Sequence, residues 1–80
     1  MSKIYPRKPK TMNARRAAWA GEALTTFVRA TRVDWEDSLG DLLCDLMHWA
    51  DHNNFDFALA LDRATDHYEA EQSEDDGVTP

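Results

Sequence analysis

Eighty residues allow one domain, and a chain this short buries only about 60% of the surface that its unfolded form exposes. A hydrophobic fraction of 42%, with three Trp, three Phe and two Tyr, suffices for a globular core, yet no apolar run approaches the roughly 18 residues of a membrane span. The net charge of −6 conceals an asymmetry: residues 1–32 carry eight Lys and Arg against Glu22 alone, and residues 33–80 carry fourteen Asp and Glu against Arg63 alone.

Such a split implies either pairing between the two halves or two opposite electrostatic surfaces, and it argues against one uniformly basic nucleic-acid-binding face. Cys44 is the single cysteine, which excludes an internal disulfide and a Cys-cluster zinc site. No apolar segment follows the N-terminal basic residues as a secretory signal requires, so a cytoplasmic protein is the expectation.

Residues 1–12, MSKIYPRKPKTM, combine two prolines and four cations with little apolar content and read as a flexible basic arm. Composition alone favours a disordered tail; Ile4 and Tyr5 keep alive a strap lying on the acidic helices or on a partner. A first helix is expected from about Asn13 to Arg32, capped by Thr11 or Asn13. Ala17, Ala20, Gly21, Leu24, Phe27 and Val28 recur at steps of three and four as its core stripe, and the small residues among them would admit a close neighbour. Trp19 lies off that stripe, either widening the apolar face or contributing to a partner surface.

The second helix, near Asp34 to Asp51, is the most amphipathic stretch. Asp34 is its expected cap, and Glu36 and Asp37 complement the positive end of the helix dipole. Trp35, Leu39, Leu42, Leu43, Leu46, Trp49 and Ala50 share one side, with the leucines as the expected centre of the core. Asp37, Asp41, Asp45, His48 and His52 share the other. Asn53 and Asn54 end it, because Asn tolerates the left-handed C-terminal position. A third helix follows, capped by Asp56 and running to about Gln72. Phe57, Leu61, Ala64 and Tyr68 form its stripe, with Asp62, Asp66, Glu69 and Glu71 facing water. Residues 73–80 read as a disordered acidic tail. The expectation is an all-α single domain over residues 13–72, a three-helix bundle or a helical hairpin plus a helix. With so small a core it would self-associate, as a homodimer.

Asp41, Asp45 and His48 stand at i, i+4 and i+7, and His52 follows His48 by four, a spacing that can hold a divalent cation. The plainer reading is a solvated face whose histidines offset carboxylates. The His pair is half of a zinc-binding HExxH, but Trp49 stands where that motif needs Glu. Cys44 is flanked by Asp41 and Asp45, the wrong setting for a thiolate nucleophile. Gly21, Gly40 and Gly77 stand alone and form no phosphate-cradling loop.

The run LGDLLCDLMHWADHNNFDFALALDRATDHYE is similar in rhythm to the last two helices of all-α MazG-like nucleotide pyrophosphohydrolases. That resemblance implies magnesium held by a Glu-x-x-Glu pair on one helix and a Glu-x-x-Asp pair on the next. Asp41 matches the family's Asp, Ser38 stands where its Glu belongs, and Glu22 has no second Glu at the required spacing. A metal-dependent nucleotide hydrolase, or its inactive descendant, is the alternative reading. More closely, DLLCDLMHWAD and FDFALALDRATDHYEAE, within residues 39–71, resemble short phage, plasmid and integrated-element proteins. That resemblance implies a mobile-element accessory protein, a class that includes anti-restriction and anti-CRISPR inhibitors.

The expected function is therefore non-enzymatic: docking on a host nucleic-acid-handling protein and inhibiting or redirecting it. The partner-binding residues expected to carry it are Asp37, Asp41, Asp45, His48, His52, Asp62, Asp66 and Glu69, whose carboxylate rows could imitate duplex phosphates. Ordinary solubility is the plainer account of the same rows. No catalytic residue, resident metal, cofactor, direct nucleic-acid contact or membrane contact is expected.

Overall fold

A computed structural model describes residues 11–77, and the side chains of residues 11–73. Residues 1–10 of the arm expected over 1–12 and the last three residues lie outside the described part, and Thr11 and Met12, expected in the arm, cap and begin α1. Three helices follow in order: α1 (Met12–Thr31), α2 (Trp35–His52) and α3 (Phe57–Gly77). The all-α class is as the periodicity predicts, and no strand occurs among the described residues. α3 runs on to Gly77, five residues past the end expected at Gln72.

The helix ends are built by the short polar residues that their positions demand. The Thr11 hydroxyl accepts from Ala14 N at 3.0 Å and caps α1. Asp56 Oδ1 accepts from Leu59 N at 2.9 Å at the start of α3. Asp34 occupies the cap position of α2, but its side chain makes no capping hydrogen bond. Arg32 closes α1 in the left-handed region, φ 65°, its N–H donating to Val28 O at 2.7 Å. The Thr31 hydroxyl donates to Phe27 O and accepts from Val33 N, bridging the turn into α2.

At the other end of α2, Asn54 takes φ 62° and Phe55 N donates back to Ala50 O at 2.9 Å. This is the six-to-one bond of a Schellman motif, and its usual apolar partner contact is present: the Trp49 and Phe55 rings lie 4.9 Å apart. Asn is the residue type that enters the left-handed region at least cost after glycine.

The three helices meet mainly near their ends. At the α1–α2 corner, Leu24, Phe27, Val28 and Val33 are half-buried, and Ser38 is fully buried, its hydroxyl donating to Trp35 O at 2.8 Å. At the α2–α3 corner Ala50 is buried and Phe57 half-buried. The third corner joins the last turns of α3 to the first turn of α1. There Asn13 Nδ2 donates to Glu71 O at 2.8 Å, Arg16 Nη1 donates to Asn13 Oδ1 at 2.6 Å, and Arg16 Nε lies 3.6 Å from Glu71 Oε2. In an up-down-up order Glu71 would stand beside the C-terminal half of α1. Its contact with the first turn means that α3 turns back across the α1–α2 pair and closes a frame.

Between the corners the helices are open. Every residue from Ala58 to Ala70 is exposed. The leucines expected at the centre of the core are not inside this chain: Leu39 is 62% exposed, Leu43 43% and Leu46 40%, while Leu42 is half-buried. Leu61 and Tyr68 of the α3 stripe are exposed as well. Among the small residues of α1, a Cβ built on Gly21 would meet nothing within 4 Å. Glu71, expected to face water, is instead half-buried at the third corner. The physical reason is common to all of these. Helical periodicity identifies a face that needs covering, but three helices joined at their ends cannot turn all three such faces inward.

Candidate functional site

Eight side chains carry the expected docking surface, and all eight are exposed. On α2, Asp37, Asp41, Asp45, His48 and His52 fall within about 80° of arc at 3.6 residues per turn. On α3, Asp62, Asp66 and Glu69 fall within about 60° on the side away from Phe57, Leu61 and Tyr68. Each row follows from the same four- and three-residue spacing that makes the opposite face apolar.

The six carboxylates of this set make no hydrogen bond or ion pair among the described residues. Of the α1 cations, Arg16 pairs with Glu71, which lies outside the set. Between described residues the halves of opposite charge are thus tied at one corner, and α2 and α3 present their carboxylates to solvent. His52 Nδ1 lies 3.0 Å from His48 O. A carbonyl only accepts, so this bond needs the ring proton on Nδ1 and leaves Nε2 pointing outward.

Charge density limits what the rows can imitate. Asp37, Asp41 and Asp45 span about 12 Å of helix axis at 1.5 Å per residue, whereas duplex DNA carries about seven phosphates over that length. One row therefore has less than half the density of a duplex, and the rows of two helices together would approach it. Those two helices share the Ala50–Phe57 corner, and the middle of α3 packs on neither neighbour.

Magnesium, as the hydrolase resemblance implies, does not fit these donors. Ser38, at the place of the family's Glu, is 1% exposed with its hydroxyl committed to Trp35 O. Among the described residues no three His, Cys, Asp or Glu side chains converge as a metal site would require. Glu22 lies on α1 and lines a groove to which Asp41 does not contribute.

No family model, curated protein or solved structure matches the chain. Among the described residues no helix is long and apolar enough to cross a membrane.

Two grooves were not legible beforehand. One, of about 610 Å³, is lined by Ala18, Gly21, Glu22, Thr25, Arg29 and Trp35. The other, of about 430 Å³, lies at the third corner beside Arg16, Tyr68 and Glu71. Neither contains any of the eight expected residues. Both depend on where α1 meets another helix, which no single-helix pattern specifies. The one signal available was Trp35, placed on the apolar side of the second helix, which lines the first groove. Trp19 is exposed, so it does not serve a core within this chain.

Proposed function

We propose that this chain is a non-enzymatic binding protein that docks its acidic α2 and α3 faces on a basic surface of a protein partner and inhibits or redirects that partner. The observation that supports this reading is the set of six exposed carboxylates without an internal counter-charge among the described residues. Charge held in one sign on one face steers a partner of opposite sign and rewards complementary docking. The resemblance of residues 39–71 to phage and plasmid proteins supplies the setting: an accessory inhibitor of the anti-restriction or anti-CRISPR kind, acting on a nucleic-acid-handling protein inside the host cell. The partner's phosphate-binding groove is the natural receptor, with the carboxylate rows taking part of the place of duplex phosphates.

The test is charge reversal. Full-length protein is immobilised, host proteins are captured at low salt and identified by mass spectrometry, and binding to the purified partner is then measured. Asp41→Lys with Asp45→Lys should weaken that binding at least tenfold at unchanged helicity, and duplex DNA should compete with the wild-type chain. Binding unaffected by the reversal would mean that the acidic face only keeps the chain in solution.

A further inference from the structure

The largest unabsorbed feature is the apolar side of α2. Trp35, Leu39, Leu42, Leu46 and Trp49 follow steps of four, three, four and three, the seam of a helix that packs along another helix. Leu43 and Met47 widen it on one flank. Of these seven only Leu42 is half-buried; the other six are each 40% exposed or more. Read from the other end the steps are three, four, three and four, so antiparallel helices paired about Leu42 set Trp35 level with Trp49, Leu42 level with Leu42, and Leu39 one residue off level from Leu46.

We infer that this seam binds a second copy of the chain, α2 against α2, antiparallel about a two-fold axis near Leu42. Area supports a chain of this kind as the occupant. At their exposures the six open side chains leave on the order of 600 Å² of mostly apolar surface per chain, given about 100–250 Å² for each whole side chain. Two copies then bury about 1,200 Å², the lower bound of a stable interface, before Phe55 and the α3 residues Leu59, Leu61 and Tyr68 are added. Residues 1–10 could not fill such a face. They offer Met1, Ile4 and Tyr5 as large apolar residues beside four cations, against a seam more than 20 Å long at 1.5 Å per residue.

Charge agrees with the same geometry. Asp37, Asp41 and Asp45 lie on the far side of α2 from Leu39, so pairing the seams turns the carboxylates outward. Antiparallel helices also set each positive dipole end beside a negative one. A two-fold pair is self-complementary, and each copy supplies the surface that the other lacks. The pairing rests on the open apolar face alone and stands apart from what the acidic face binds.

Sedimentation equilibrium of the full chain, from roughly 10 µM to 1 mM, decides it, with thermal melting followed across the same range. The expected mass is twice the 9.2 kDa of one chain, with a melting temperature that rises with concentration. Leu39→Glu with Leu46→Glu should bring the mass down to 9.2 kDa at every concentration. A wild-type mass of 9.2 kDa throughout the range, folded or not, would overturn the inference. So would a double variant that keeps the dimer mass, or a melting temperature independent of concentration, a result that needs no variant to fold. Partner binding lost on charge reversal while the dimer persists would separate the two proposals.

Discussion

The corners of this molecule and the middles of its helices are built to different standards. At the corners hydrogen bonds tie the helix ends together and apolar groups meet. Ser38 donates to Trp35 O, Phe55 N to Ala50 O and Asn13 Nδ2 to Glu71 O, and the Trp49 and Phe55 rings are 4.9 Å apart. Along the middles, leucines and aromatics stand in water: Leu39, Leu46, Leu61 and Tyr68 are all exposed. Ordering a residue costs about 1.5 kcal/mol of conformational entropy, and only buried apolar surface offsets that on the scale of a domain. Ala50 is the single buried apolar residue among those described. The corners thus set the path of the chain, and the stability of the fold has to come from what covers the middles.

The largest effect that would break this contrast comes from filling a corner. Ala50 is 3% exposed and accepts the Phe55 amide, so Ala50→Leu adds three carbons where there is no room. Overpacking of this kind costs about 1–3 kcal/mol. The same addition of three carbons at Leu39, as Leu39→Phe, should cost less, because that side chain is open within the chain. Urea titration of both variants, followed by helicity, measures the difference. Equal losses would mean that the Ala50 corner is no tighter than the open face.

How much of this could be read beforehand follows the same line. The caps at Thr11 and Asp56, and the left-handed Asn that ends α2, were legible because each is decided by a side chain within three or four residues of the amide it serves. The exposure of Asp37, Asp41, Asp45, His48, His52, Asp62, Asp66 and Glu69 was legible for a related reason: helical register fixes the face opposite the leucines. The burial of Leu39, Leu43 and Leu46 was misread. Periodicity says that a face is apolar and leaves open whether its cover is the same chain or another. Ser38 was read only as a missing ligand, yet it is the most buried residue described, with its hydroxyl committed to Trp35 O. The end of α3 was placed short because Ser73, Glu74, Asp75 and Asp76 look like a tail by composition, although nothing in them forbids a helix.

A smaller effect tests the turn alone. Asn54 sits at φ 62°, where a β-branched residue is a steric outlier. Asn54→Val should cost about 1–2 kcal/mol, the usual penalty of the left-handed region for a residue with a substituted Cβ. Asn54→Gly should be close to neutral, since glycine enters that region freely but loses more entropy on folding. Measured by denaturant unfolding at one protein concentration, equal stability of the Val and Gly variants would show that the Schellman turn is not held in solution.

The smallest effect is the most informative about the open face. Gly40 lies in α2 without a positive φ, and a Cβ built there meets nothing within 4 Å. In a lone chain Gly40→Ala should therefore stabilise by up to about 1 kcal/mol, the difference in helix propensity, or about 4–8 °C in melting temperature for a domain of this size. By register Gly40 lies about 160° around α2 from Leu42, between Met47 and Asp37, away from a second helix centred on the seam. A helix paired about Leu42 therefore leaves the gain intact at every protein concentration, and only a cover seated on the Gly40 side would cancel it. Gly21→Ala, on α1 and equally open, gives the reference value. A full gain at Gly21 with none at Gly40 would place the covering helix over the Gly40 flank. Equal gains at both would agree with a helix on the seam of Trp35, Leu42 and Trp49.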